Sequence, residues 1–169
     1  MIPARAAITK LQCGGLLDAA KGSLLGPQTV VIADWRIASV QPGKVAVEGA
    51  TVIDLARHTC SPDWIDLHVH VGQESNPQSH SEGFRLDDVD FALQATSYTR
   101  RTVQAGSTSV RDLGGEIVPH LRDAINAGTI PGPRIFAAGK SIATIGGHAD
   151  PSNGLSNRLA SLVGPRGPT

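Results

Sequence analysis

Pro62-Asp63-Trp64-Ile65-Asp66-Leu67-His68-Val69-His70-Val71-Gly72 is the stretch on which the reading of this chain turns. It is a short apolar run that ends in two histidines spaced i and i+2. Side chains alternate across a strand, so a strand here is expected to project Asp66, His68 and His70 from one face. Two imidazoles side by side at a strand's carboxyl end can share one divalent cation. His-x-His is also a common chance pattern, so on these residues alone an unrelated polar pair in a turn stays open beside the metal pair.

Working outward, residues 65–71 carry few charges and read as a strand buried on both faces. A loop rich in Ser, Asn, Gln and Gly follows, from Gly72 to Phe84. Leu86 to Ala105 is predicted as a helix, with Asp87, Asp88 and Asp90 at the positive end of its dipole. Its apolar stripe is expected to be Val89, Leu93, Thr96 and Val103, with Gly106 as the C-terminal cap. Ser107 to Leu113 is a second strand. Pro119 to Ala127 is a short helix with Leu121, Ala124 and Ile125 on one side, and Arg134 to Ala138 is a third strand. This β-α-β-α-β order predicts a parallel sheet with right-handed crossovers.

Upstream, Ala7 to Gln12, Thr29 to Ala33, Arg36 to Val40 and Thr51 to Leu55 alternate with turns. They predict an antiparallel meander or small sandwich. After Gly147 the periodicity fades, although Leu155 to Val163 has room for a short helix. The expected organisation is a partial β-domain over 1–61, then strand-helix units over 62–169.

Composition narrows the function classes. The 15 basic and 15 acidic residues cancel without any like-charge block, so neither nucleic acid nor an anionic membrane is expected as a partner. Aromatics are scarce at 4%, while Gly 19 and Pro 11 suit a loop-rich α/β protein. Cys13 and Cys60 lie among small or apolar neighbours and are expected as buried or free thiols rather than a disulfide. No apolar run approaches the roughly 20 residues of a membrane span, and Met1 to Lys10 lacks a signal peptide's apolar core. A cytoplasmic protein is the expectation, with a lost secretory leader as the alternative.

The opening stretch resembles the first barrel strand of the amidohydrolase superfamily, whose usual form is Pro-Gly-(Leu/Trp)-Ile-Asp-x-His-x-His. The resemblance continues through most of the chain. Arg36-Ile37-Ala38-Ser39-Val40 and Ala50-Thr51-Val52-Ile53-Asp54-Leu55 resemble the family's N-terminal β-domain, and Gln104-Ala105-Gly106-Ser107-Thr108-Ser109-Val110-Arg111-Asp112-Leu113-Gly114-Gly115 its second strand. Gly128-Thr129-Ile130-Pro131-Gly132-Pro133-Arg134-Ile135 and Gly146-Gly147-His148-Ala149-Asp150 resemble the branch of Xaa-Pro and Xaa-Arg dipeptidases and imidazolonepropionase-like enzymes. Two positions depart from the family: Asp63 stands where Gly is usual at the strand entry. Asp34-Trp35 replaces an Asp-Gly hairpin turn, where positive φ is needed and Trp adopts it at a cost.

The resemblance implies a TIM barrel, (β/α)8, preceded by a small β-sandwich domain. A whole barrel takes typically about 250 residues, so 169 residues imply an incomplete, N-terminal part with roughly three strand-helix units. It implies that His68 and His70 ligate a divalent metal, zinc by preference, in a centre that is binuclear in the complete enzyme. The implied reaction is hydrolysis of a C–N amide bond by a metal-activated water.

The implied substrate is a dipeptide or other small molecule, and the complete enzyme is a candidate homo-oligomer. His148 resembles a substrate-pocket position, with a backbone-bonded loop histidine as the alternative. Asp66 and Asp112 are read as residues supporting the metal shell, and Asp112 alternatively as an ion-pair partner of Arg111. Lys140 follows the third strand, whereas the family's bridging lysine follows the fourth. That lysine, the later histidines and the catalytic aspartate find no counterpart in residues 1–169, which are therefore expected to be inactive or nearly so by themselves. A cyclic-amide hydrolase and a non-catalytic metal-binding fragment are the alternative functions.

Overall fold

A computed structural model describes residues 8–144, 146–150 and 152–159. The expected strand start at Ala7, the end of the helix expected over Leu155–Val163 and the Pro/Gly-rich tail lie outside the described residues, as does the side chain of His80. The chain divides into two compact units, Met1–Pro62 and Asp63–Thr169.

Unit 1 is built on a long strand, β1 (Ile8–Asp18). It pairs antiparallel with β2 (Ser23–Leu25) and β3 (Gln28–Ala33), and β3 pairs antiparallel with β4 (Arg36–Pro42). β5 (Thr51–Cys60) lies along β1 in parallel, so the result is one five-stranded sheet rather than a simple meander. Its buried residues include Cys13, Thr29, Val30 and Val31, and the stem of Lys10, whose ammonium reaches the Val45 carbonyl at 3.0 Å.

Cys13 and Cys60 form a disulfide, which corrects the expectation of thiols. The cause is a register shift that the sequence does not display. Cys13 faces Leu55 but Gly15 faces Thr59, so Ala56, Arg57 and His58 stand opposite Gly14 alone. A Cβ on Gly14 would collide with the Ala56 carbonyl, so only glycine lets β5 press in there. That irregularity brings Cys60 back towards Cys13, with Cα atoms 5.9 Å apart, inside the range a disulfide spans.

The β3–β4 connection is a two-residue hairpin loop, with Ala33 facing Arg36. Asp34 (φ 49°) and Trp35 (φ 62°) both occupy the left-handed region, so the turn keeps its primed form with tryptophan in place of glycine. Trp35 is 98% exposed and gains no packing in return. Asp63, by contrast, does not take positive φ, so its carboxylate stands at the strand entry without that strain.

Unit 2 contains a three-stranded parallel sheet in the order β6 (Trp64–Val69), β7 (Ser107–Asp112), β8 (Arg134–Ala137). α1 (Ser79–Glu82), a single turn, interrupts the expected loop. α2 (Asp88–Gln104) connects β6 to β7, and α3 (Val118–Asn126) connects β7 to β8. The Asp87 amide donates to the Asp90 carboxylate at 3.0 Å, closing the start of α2. Gly106, at φ +100°, ends the helix where the side-chain-bearing residues would be strained.

The core packs Ala95 of α2, Val118 and Leu121 of α3, Val110 of β7, Ile135 of β8 and Val71. The buried face of α2 is thus Ala95 and Thr99, flanked by Phe91, Ala92 and Tyr98, whereas Val89 and Leu93 are exposed. Of the expected stripe, Val89 and Leu93 face outward while Thr96 and Val103 are half-buried, because small residues seat this helix. Thr99 sits close enough for its hydroxyl to reach the Pro131 carbonyl at 3.1 Å.

β6 is also not buried on both faces: Ile65 is 64% and Leu67 58% exposed. Among the described residues β6 is the edge strand of this sheet, and its faces lack the helical cover that buries a parallel strand on both sides.

Candidate metal centre

His68 lies near the end of β6 and His70 just past it, and their ring centroids are 5.6 Å apart at 69°. Both histidines are exposed. The Nδ1 atom of His70 is 3.2 Å from the carbonyl oxygen of Gly114. A carbonyl only accepts, so this contact calls for a proton on Nδ1 and leaves the Nε2 lone pair open to a cation. Among the described residues no third His, Cys, Asp or Glu joins this pair in a cluster able to hold a metal. The donor set therefore fits a divalent cation as two imidazole ligands of a centre that needs at least one more.

Against β7, Asp66 stands opposite Val110 and Val69 opposite Asp112, so three steps along β6 match two along β7. The pairing of β6 with β7 is thus irregular between Asp66 and Val69, and Asp66 and His70 both line one shallow cleft. The Asp66 carboxylate accepts the backbone N–H of His68 at 3.0 Å. Arg111 bridges the same irregularity, donating from Nε to the Leu67 carbonyl at 2.9 Å.

Asp112 is fully buried at the end of β7. Its Oδ2 accepts the Val71 amide at 2.7 Å and its Oδ1 the Gly114 amide at 3.0 Å. It does not pair with Arg111, because adjacent strand residues point to opposite faces and Arg111 is engaged with Leu67. Gly114 was part of a recognisable Gly-Gly pair, yet nothing in the sequence marked its carbonyl as a partner of His70. Its lack of a side chain is required, since a Cβ there would collide with the Ser141 hydroxyl.

His148 is exposed in a loop after β8, and among the described residues no ring contact joins it to His68 or His70. The loop is tied down by Asp150, which accepts the Gly146 amide at 2.7 Å and both the amide and hydroxyl of Ser152, at 2.9 and 2.7 Å. These bonds, the Gly146 amide foremost, hold the Asp150 carboxyl below the usual carboxylate range. Lys140 faces Glu116 at 3.6 Å, an ion pair between loops that follow β8 and β7. Beside His70, a cleft of about 260 Å³ opens between the 72–84 segment and α2, with Glu74, Glu82, Gln94 and Tyr98 on its walls.

The model of the amidohydrolase family matches residues 59–164, which include both strand-borne histidines and all of the parallel sheet. The chain belongs to the amidohydrolase family. Among solved structures, this amidohydrolase is similar to a Xaa-Pro dipeptidase with bound methionine in its active site, at 37% identity and a TM-score of 0.81 over 90% of this chain. It is also similar to a prolidase complexed with N-methylphosphonate-L-proline, at 34% identity and TM-score 0.70 over 84% of this chain. Phenylurea hydrolase B is similar at 26% identity and TM-score 0.70 over 90%.

Among curated proteins, ochratoxinase of Aspergillus niger is 29% identical over 90 residues, 53% of this chain. The chain spans only part of each: 38% of the dipeptidase, 34% of the prolidase and 18% of ochratoxinase. No helix among the described residues is long and apolar enough to cross a membrane.

Proposed function

We propose that this chain supplies the first three strand-helix units of a (β/α)8 barrel, with part of a β-sandwich before it, in a metal-dependent, dipeptidase-like amidohydrolase. The observation that carries the metal reading is the His68–His70 pair with Nδ1 of His70 on a carbonyl. Such an outer hydrogen bond is what fixes a ligating histidine. The dipeptidase reading is supported by likeness to a Xaa-Pro dipeptidase and a prolidase at above 30% identity.

A divalent cation, zinc by preference, supplies Lewis acidity and an activated water when bound. Within this chain, His68 and His70 hold that cation through imidazole nitrogens, and the Gly114 carbonyl keeps the second ring turned. The strand ends carry all of these groups on the rim where parallel barrels place their chemistry. The cleft beside His70 offers room for one amino-acid side chain of a dipeptide, and His148, in the loop after β8, is the candidate substrate-binding residue. Among the described residues no third donor joins the pair, so residues 1–169 by themselves turn over little or nothing. The Cys13–Cys60 bond favours an oxidising compartment over the cytoplasm, where such bonds are rare.

The test is a chimera in which residues 1–169 replace the matching segment of the Xaa-Pro dipeptidase. Hydrolysis of Xaa-Pro dipeptides by the chimera, silence of 1–169 alone and loss of turnover on His68→Ala or His70→Ala support the reading. Full turnover by 1–169 alone, or unchanged turnover in the histidine variants, overturns it.

A further inference from the structure

Three bonds around the end of β7 form a closed arrangement. The Asp112 carboxylate grips the amide of Val71, the residue next to His70, and with its other oxygen the amide of Gly114. The carbonyl of that same Gly114 receives Nδ1 of His70. One buried carboxylate thus holds both the backbone that carries the imidazole and, by its amide, the glycine whose carbonyl meets the ring.

We infer that Asp112 is a positioning residue for His70, acting through the backbone of Gly114 on either side of its Cα to hold the ring as its Nδ1–H tautomer with Nε2 free. The inference rests on the reading of His70 as a metal ligand for its purpose, but not for its geometry. The carboxylate is required because it alone offers two acceptor oxygens to two amides; the isosteric amide of asparagine turns one N–H towards another N–H. Glycine is required at 114 because the peptide must approach His70 with Ser141 behind it: a Cβ there would lie 3.7 Å from His70 Cε1 and on the Ser141 hydroxyl. The Ser141 hydroxyl is itself held by the Leu113 carbonyl at 3.0 Å, so it does not simply swing aside. A free neutral histidine prefers the proton on Nε2, so the arrangement works against the intrinsic preference and leaves a spectroscopic trace.

The experiment is long-range ¹H–¹⁵N correlation NMR of the metal-free chain, at a pH about two units above the ordinary histidine value of ~6.5. The expected result is a proton on Nδ1 of His70 in the wild type. A proton on Nε2, or the averaged pattern of a free ring, overturns the inference whatever the metal does. In Asp112→Asn the expected result is loss of the Nδ1–H signature and zinc binding weaker by about 10- to 100-fold. A folded Asp112→Asn chain that keeps both the tautomer and its zinc affinity overturns it. Should that variant not fold, the wild-type tautomer decides alone. A wild type that shows the Nδ1–H form yet binds no zinc leaves the positioning intact and removes the metal reading instead.

Discussion

The buried carboxylate of Asp112 accepts the backbone amide of Val71 at 2.7 Å, tying the end of β7 to the residue that follows His70. Through this bond the two adjacent strands of a parallel sheet present the histidine pair as one assembly. Arg111, one residue earlier, closes the gap left where β6 and β7 fall out of register. The candidate centre therefore depends on β7 as much as on the strand that bears the histidines.

Trp35→Gly should stabilise unit 1. Trp35 sits at φ 62° with its ring in solvent, so its removal costs little packing and relieves left-handed strain. The expected gain is about 1 kcal/mol, the lower end of the penalty for a residue with a Cβ, after allowing for glycine's freer unfolded chain. Urea unfolding of both proteins checks it, and an unchanged or lower midpoint contradicts the strain.

Opening the Cys13–Cys60 bond should destabilise the same unit. The bond closes a loop of 47 residues, for which chain entropy predicts a loss of about 4 kcal/mol, within the usual range of roughly 2–5. Unfolding midpoints of the wild type and Cys13→Ala/Cys60→Ala, with mass spectrometry of the alkylated wild type, read this directly. Two alkylatable thiols in the untreated, folded protein would refute the pairing.

Acid should loosen the loop that carries His148. The folded Asp150 carboxyl titrates below its unfolded value because the Gly146 amide and Ser152 bond its charged form. Stabilisation from a depressed carboxylate is complete above the unfolded pKa and is lost as pH falls through the folded one. The Gly146 and Ser152 amide resonances should therefore shift together, with a midpoint below the ordinary carboxylate value. A midpoint at or above that value, or amides that do not respond, contradicts the arrangement.

Much of unit 2 was legible because its signals are local. Gly106 and Gly128 mark helix ends, Asp87 and Asp90 a helix start, and Val110 and Ile135 a buried parallel sheet. What escaped depended on registers between distant segments. The slip opposite Gly14 that joins Cys13 to Cys60 and the slip between β6 and β7 past Asp66 leave no mark on residue types. The buried face of α2 was misread because Ala95 and Thr99 give a weaker apolar signal than exposed Val89 and Leu93. At the site, the histidines and Asp112 were visible as side chains, whereas the groups that link Asp112 to His70 are a carbonyl and two amides, which sequence does not single out.

The central claim is that His68 and His70 are two ligands of one divalent cation, and zinc titration tests it most directly. The metal-free chain, His68→Ala and His70→Ala would each be titrated against a chromophoric zinc competitor. The account predicts one zinc per wild-type chain held by this pair, with either substitution weakening it by at least about 100-fold. A wild type that binds no zinc, or variants that bind as tightly as the wild type, would contradict it.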